Sequence, residues 1–400
     1  MDVFVARQPI FTRKKKLFGY ELLFRSGMNN AFPELDGDVA TSNLLSSSFF
    51  SVGIDRIAGG RKSFINFTEA LLLRGTPALF PQEMIMVEIL EDIRPSAEII
   101  RACRSLKSQG YTLALDDFTF DDSFAELLPL IDIVKIDFRQ TPQAEIRSLL
   151  DHLRPFSCRL LAEKIESYAE FNRARDTGFD LFQGYFFSRP EVLKNKDIPQ
   201  NKLTMLRLIS EINRSEFDVS ALEKLISRDV AVSYKLLKYL NSAYFSRLAP
   251  LKSIRQAIAF LGERGVKLFV SLVATSQLAE DKPDELVRMS IIRARFLEQL
   301  GPKLGLDGGE LFLLGLFSLI DAMLDNTMDD LVGRLPVSEA IRRALVERSG
   351  PLAAPLSLIE SCERADWSAV DRWRQQLQVD EERLSVMQLD AIDWADSYET

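Results

Sequence analysis

The chain has 400 residues, more than one hydrophobic core usually holds, so two domains are the expectation. It is 46% hydrophobic and 27% charged, an ordinary balance for a globular protein, and its net charge of −8 argues against bulk attraction to nucleic acid or anionic lipid. An anionic ligand would need a local basic residue or a bridging cation. A single histidine, His152, and three scattered cysteines, Cys103, Cys158 and Cys362, exclude metal sites and catalytic triads that need several His or a CxxC pair.

The start, Met1-Asp2-Val3-Phe4-Val5-Ala6-Arg7, lacks the basic and apolar regions of a signal peptide. The longest apolar runs, 268–274 and 311–320, fall short of a membrane span. With reduced structural thiols, this gives the expectation of a cytoplasmic protein without membrane insertion.

In chain order, residues 3–6 and 19–24 read as strands joined by the polar turn Arg13-Lys14-Lys15-Lys16, the tip of a hairpin. Further strands are expected at 63–67, 84–90, 113–117, 132–137, 159–164 and 178–183, and helices at 43–51, 95–108, 123–128, 144–153 and 168–175. Pro95 ahead of an apolar-periodic run suits a helix start. Asn66, Glu88, Asp116, Lys135, Glu163 and Gln183 follow one another at steps of 22, 28, 19, 28 and 20 residues. That is the spacing of successive βα units and predicts a TIM-like (β/α) barrel, whose strands share one catalytic face.

Residues 190–202 are polar, contain Pro190 and Pro199 and lack periodicity. The division is therefore a barrel domain over 1–193, a linker over 194–202 and an all-α domain over 203–400. Helices are expected there at 203–213, 219–228, 231–240, 254–261, 263–278, 284–300, 310–324, 337–346, 354–364, 367–377 and 381–395. From 360 to 400 eleven acids face four bases, which reads as a solvated helical face. Tyr234, Tyr239, Tyr244 and Phe245 stand near Lys235 and Lys238, but their helical spacing and the overall acidity favour packing over nucleic-acid binding. Trp367, Trp373 and Trp394 read as packing anchors.

The barrel's key stretch is Tyr111-Thr112-Leu113-Ala114-Leu115-Asp116-Asp117-Phe118, a buried strand ending in two carboxylates. Alone, Asp116 could be a helix cap. The pattern recurs, however, at Glu21 with Arg25, Asn66, Glu88 with Glu91, Lys135 with Asp137, Glu163 with Glu166, and Gln183. About six carboxylates at one barrel mouth repel by several kcal/mol unless cations separate them. Hard oxygen donors without His or Cys suit Mg²⁺ or Mn²⁺, one or two of which would make a phosphodiester-hydrolysing centre. If Lys135, Lys164 and neighbouring arginines neutralised these acids instead, no ion would be needed.

Gly19-Tyr20-Glu21-Leu22-Leu23-Phe24-Arg25, preceded by Gln8-Pro9-Ile10, resembles the signature of EAL domains, with Leu22 in place of the usual Ala. Asn66-Phe67-Thr68, Glu88-Ile89-Leu90-Glu91, Leu115-Asp116-Asp117-Phe118, Val134-Lys135-Ile136-Asp137, Ala162-Glu163-Lys164-Ile165-Glu166 and Phe182-Gln183-Gly184-Tyr185 follow in family order. The resemblance implies a barrel that binds cyclic di-GMP and, in active members, hydrolyses it to linear pGpG with Mg²⁺ or Mn²⁺. It implies Glu21, Asn66, Glu88 and Asp116 as metal ligands, with Asp117 at the second ion. It makes Glu163 the general base, with Lys135 orienting the water or stabilising phosphate. Arg25, Gln183, Glu166 and Asp137 would contact or position the ligand.

Two departures stand out. Thr119-Phe120-Asp121-Asp122 replaces a Gly-Thr-Gly-type loop that supports metal binding and dimer contact in active relatives, and Lys164 replaces a glycine. A catalytically silent receptor or scaffold is therefore the alternative to a phosphodiesterase.

The second half resembles HDOD domains through Asn241-Ser242-Ala243 and Ala257-Ile258 followed by Leu261-Gly262. Gly315-Leu316-Phe317-Ser318-Leu319 stands where catalytic relatives carry a Gly-Leu-Leu-His-Asp metal motif, so this half is expected to be a non-catalytic module with a protein partner. The whole resembles the YuxH-like EAL–HDOD signalling proteins of bacteria; active EAL barrels often pair as homodimers, through contacts that include the altered loop.

Overall fold

A computed structural model describes residues 5–24, 51–119, 121–191, 198–212, 253–335 and 337–399, together with Glu223, Ile226, Tyr234 and Leu240. Arg25, all but Ser51 of the helix expected at 43–51, most of 213–252 and the aromatic and basic residues Lys235, Lys238, Tyr239, Tyr244 and Phe245 lie outside the described residues. The chain forms two compact units, Met1–Phe186 with Cys362–Trp367, and Phe187–Ser361 with Ser368–Thr400.

The first unit is a closed barrel of β1 (Val5–Thr12), β2 (Leu17–Phe24), β3 (Ser63–Phe67), β4 (Ile85–Ile89), β5 (Thr112–Leu115), β6 (Ile133–Asp137), β7 (Arg159–Glu163) and β8 (Leu181–Gln183). The hairpin expected from the lysine-rich turn is present: β1 pairs antiparallel with β2, Gln8 opposite Glu21. β1 also pairs antiparallel with β8, Ile10 opposite Gln183, and so closes the barrel. Strands β2 to β8 are parallel neighbours in sequence order. Because β1 runs the other way, its early residue Gln8, not its end, reaches the level of the other strands' C-terminal ends.

The barrel interior follows directly from a period of two. Ile10, Phe64, Met86, Ala114, Ile133, Leu161 and Leu181 form one buried apolar cluster, with Phe18 packed against it. The residue two places beyond six of them is polar: Asn66, Glu88, Asp116, Lys135, Glu163 and Gln183. On the reversed strand, Gln8 stands two places before Ile10. The sequence motif apolar-x-polar is thus a greasy plug topped by a polar layer.

Outside the sheet lie α1 (Ser51–Ala58), α2 (Glu69–Leu73), α3 (Ala97–Ser108), α4 (Gln143–Leu153) and α5 (Tyr168–Thr177). Ser96 and Ser167 cap α3 and α5 with hydroxyls that accept the Ile99 and Glu170 N–H groups. The helix expected at 123–128 is instead two 3₁₀ turns, Asp122–Glu126 and Leu128–Leu130, because Pro129 has no N–H to continue an α-helix. The strand expected at 113–117 stops at Leu115, and Asp117, at φ 36°, turns the chain away.

Gly184, directly after β8, has φ 139°, and a Cβ there would lie 2.1 Å from the Ile165 carbonyl oxygen. Gly178, at φ 123°, has open space around the same position. Gly184→Ala should therefore lower the urea-unfolding free energy by about 2–4 kcal/mol, and Gly178→Ala by only about 1 kcal/mol, since only the first adds a backbone clash to the dihedral strain. Equal losses would show that the Ile165 approach is not what demands a glycine.

The second unit is helical among the described residues: α6 (Gln200–Ile212), α7 (Ile254–Leu278), α8 (Asp284–Leu304), α9 (Gly308–Phe317), α10 (Ile320–Leu324), α11 (Met328–Val332), α12 (Glu339–Arg342), α13 (Ala353–Glu363), α14 (Trp367–Gln376) and α15 (Glu381–Glu399). Gly262, at φ 70° and ψ 169°, divides α7 into the two helices expected at 254–261 and 263–278. The single helix expected at 310–324 is broken at Ser318-Leu319, where the Ser318 hydroxyl donates to the Gly315 carbonyl at 2.7 Å. Gly315 lets α9 meet α8, since a Cβ there would come within 2.5 Å of the Ala294 nitrogen. No helix among the described residues is long and apolar enough to cross a membrane.

Candidate active site

The polar layer closes around one ammonium. Lys135 Nζ, on β6, lies 3.2 Å from Glu21, 2.9 Å from Asp116 and 2.9 Å from Glu163, and it also donates to Glu88. Lys135 and Glu88 are fully buried, and Glu21, Asn66, Glu163 and Gln183 nearly so. Glu21 accepts from Asn66 Nδ2 at 3.2 Å and from Gln183 Nε2 at 2.6 Å. The Gln183 amide also donates to Gln8 Oε1 at 3.1 Å. Five strands thus supply a connected set built on Glu21, Glu88, Asp116, Lys135 and Glu163, with Asn66, Gln183 and Gln8 at its edge.

The electrostatics are those of crowded, dry acids. Burial, and then the Glu21 charge, push Glu88 well above the usual carboxylate range, against the pull of Lys135. Burial likewise raises Glu163, with Lys135 opposing and Asp116 and Glu21 adding to the rise. Burial disfavours the Lys135 ammonium, but Asp116, Glu163, Glu21 and Glu88 together overcome it and hold its pKa well above the usual lysine range. Asp116 feels burial too, yet its contact with Lys135 wins and keeps it below the usual range.

A second ammonium sits at the rim. Lys164 Nζ is 2.6 Å from Asp137 Oδ2 and 3.3 Å from Asp117 Oδ2. Asp137 Oδ1 accepts the backbone N–H groups of Arg139 and Gln140, both at 2.9 Å, so this side chain is tied into its own turn. Glu166 pairs with Arg139. The structure therefore gathers Glu21, Asn66, Glu88, Asp116, Lys135, Glu163 and Gln183 in one knot, and sets Asp117, Asp137 and Lys164 beside it. Glu166 stands apart, Glu91 is exposed and Arg25 is outside the described residues. A cavity of about 580 Å³ opens beside Asp117 and Asp137, lined also by Phe118, Thr119, Thr141 and His152.

The donor set can be tested against a divalent cation. Asn66 Oδ1, Glu88 Oε2, Asp117 Oδ1, Glu163 Oε2 and Gln183 Oε1 are buried without a hydrogen-bond partner. Buried acceptors left unpaired are costly; four of these oxygens belong to the knot and the fifth, on Asp117, stands beside it, and none has a partner among the described residues. Among the described residues, the six carboxylates Glu21, Glu88, Asp116, Asp117, Asp137 and Glu163 meet two ammoniums, Lys135 and Lys164. The lysines thus neutralise the acids in part only. Among the described residues no three His, Cys, Asp or Glu side chains stand in ligating geometry, because the carboxylates gather on Lys135 Nζ. The oxygens left over are of the kind a hard, oxygen-seeking ion takes.

One participant, Gln8, was not expected from sequence. Gln8 enters through Gln183, and its signal was the alternation Gln8-Pro9-Ile10 on a strand that pairs with Glu21. Lys164, named from the sequence as a neutraliser of these acids, bridges Asp117 and Asp137.

In the helical unit, Ser318, at the place of a metal-binding histidine in catalytic relatives, accepts from Arg293 Nη1 at 3.0 Å. Arg293 also reaches Glu360 at 3.5 Å, and Arg348 reaches the same carboxylate at 2.9 Å. Burial raises the pKa of nearby Asp321. Among the described residues this region is an ion-pair and hydroxyl network.

A family model of the EAL domain matches residues 41–190, and one of the HDOD domain matches residues 198–330. The chain is 38% identical over 399 residues to cyclic di-GMP phosphodiesterase CdgJ of Vibrio cholerae, covering 98% of this chain and 92% of that protein. It is 35% identical over 406 residues to the uncharacterized protein YuxH of Bacillus subtilis, covering 98% of both. Both similarities run through Glu21, which precedes the matched EAL segment, and through both units. With the two domains in this order and two full-length relatives, the chain belongs to the EAL–HDOD family.

Proposed function

We propose that the barrel binds cyclic di-GMP and hydrolyses it to linear pGpG with Mg²⁺ or Mn²⁺, and that the HDOD unit is a non-catalytic module that binds a protein partner. The observation that carries this reading is the set of four unpartnered buried oxygens in the knot around Lys135, with a fifth on Asp117 beside it. The name of the relative at 38% identity, a cyclic di-GMP phosphodiesterase, supports it.

In this reading Glu21, Asn66, Glu88 and Asp116 hold the ion, with Asp117 beside them. The ion, when bound, supplies charge neutralisation at phosphorus and acidifies water. Glu163, whose burial makes it a stronger base than a free carboxylate, takes the proton of the attacking water. Lys135 holds the carboxylates in place and faces the charge that grows on the phosphate. Gln183 orients Glu21 through its 2.6 Å hydrogen bond. Asp137 and Glu166 act at the rim toward the ligand, through Lys164 and Arg139, and Arg25, outside the described residues, is assigned to a ligand phosphate. We assign the EAL barrel to 1–193, the linker to 194–202 and the HDOD domain to 203–400, in a cytoplasmic protein able to form homodimers.

The test is turnover. Purified protein with Mn²⁺ and cyclic di-GMP should yield pGpG, separated by chromatography, and Glu21→Ala should not. One observation favours a second reading, a receptor that binds without hydrolysis: Lys135 and Lys164 already neutralise part of the acidic set. Binding of cyclic di-GMP with no pGpG above the Glu21→Ala control would select that reading, and no binding at all would leave a scaffold.

A further inference from the structure

We propose that Lys164 is a built-in second cation of this mouth: its ammonium takes the place beside Asp117 and Asp137, so the barrel binds one divalent ion, and it offers its charge to a phosphate of the bound dinucleotide. The inference rests on the metal-dependent reading above.

Lys164 adopts φ 56°, a left-handed conformation that a side chain disfavours and glycine does not. Such strain persists where the surrounding structure holds the residue in place. Here the hold is electrostatic, through Asp137 Oδ2 at 2.6 Å and Asp117 Oδ2 at 3.3 Å.

The two lysines are built for different work. The Lys135 side chain is 1% exposed and spends its charge on three buried carboxylates and the partly buried Asp116. The Lys164 side chain is 48% exposed, at a rim whose acids line the 580 Å³ cavity. An ammonium has three donors, and the two aspartates take two, which leaves one for a phosphate oxygen.

The unpartnered oxygens divide the same way. Asn66 Oδ1, Glu88 Oε2, Glu163 Oε2 and Gln183 Oε1 belong to the knot around Lys135, a set for one ion, whereas Asp117 adds a single unpartnered atom and already shares its other oxygen with Lys164. A second dication drawn to Asp117 would stand a few ångströms from a fixed ammonium and be repelled by it.

The test counts ions on the full chain. Mn²⁺ titrated into the protein and followed by the electron paramagnetic resonance of free Mn²⁺ should show one tight site per chain. Lys164→Gly, which also relieves the left-handed strain and so should fold, should show two, and Lys164→Arg should return to one. Adding Asp117→Asn to Lys164→Gly should remove the second site. The same Lys164→Gly change should raise the KM for cyclic di-GMP about tenfold, with Lys164→Arg recovering most of it. Two tight sites in the unaltered chain, or one in Lys164→Gly, would overturn the inference and leave the phosphodiesterase reading standing. No tight Mn²⁺ site in any form would overturn both.

Discussion

Glu163→Gln is expected to lower kcat for cyclic di-GMP hydrolysis about 10³-fold while the protein stays folded and its affinity for the dinucleotide changes by no more than a few fold. The size follows from the loss of a positioned general base, which contributes roughly 10²–10⁴ in rate. The amide keeps the shape of the carboxylate at the end of β7 and can still face the Lys135 ammonium, 2.9 Å from Glu163 Oε1. It removes a charge that burial and the neighbouring Asp116 and Glu21 already disfavour. The thermal midpoint should therefore hold or rise slightly, so a loss of rate cannot be ascribed to unfolding. The informative quantity is the split between the constants: kcat falls and KM does not, as for an interaction made only in the transition state. Unchanged kcat would remove Glu163 from the chemistry and make Lys135 a mere counter-ion to a structural acid.

Much of this centre could be read from the sequence because a strand repeats every two residues. Phe64 and Asn66, Met86 and Glu88, Ala114 and Asp116, Ile133 and Lys135, Leu161 and Glu163, and Leu181 and Gln183 are one pattern written six times at βα spacing, and it placed the polar layer above the plug. The pattern says which side chains share a level, but not which atom satisfies which. Nothing in Lys135 and its neighbours announces that one ammonium gathers four acids from β2, β4, β7 and the end of β5, since those partners are 19 to 114 residues away. Gln8 was missed for a topological reason: on an antiparallel strand the mouth residue comes before the plug residue, so a search for strand ends passes it by. The helical unit was legible as helices but not in its breaks. Ser318 interrupts the run 310–324 through a hydroxyl bond to Gly315, a local competition that periodicity cannot weigh against burial.

Lys135→Met should cost the barrel about 3–5 kcal/mol of unfolding free energy in the absence of divalent ions, the largest stability loss expected of any single change here. The methionine fills the volume of the stem, so the loss is electrostatic: four carboxylates that shared one ammonium are left facing each other in a dry interior. The carboxylates limit the damage by taking up protons, which Glu88 and Glu163 are already disposed to do, and that is why the cost stays within a few kcal/mol. Two further measurements separate this account from a packing defect. Glu88→Gln in the Lys135→Met background should restore about 1–3 kcal/mol, because it removes one of the unpaired charges, whereas a cavity would be indifferent to it. Saturating Mn²⁺ should raise the urea midpoint of Lys135→Met by more than that of the unaltered protein, because a cation that Glu21, Glu88 and Asp116 can reach answers the same charge that Lys135 answered. If Mn²⁺ stabilised both proteins equally, ion and ammonium would be acting on different acids, and the knot around Lys135 would be a structural ion-pair cluster rather than the place where the metal belongs.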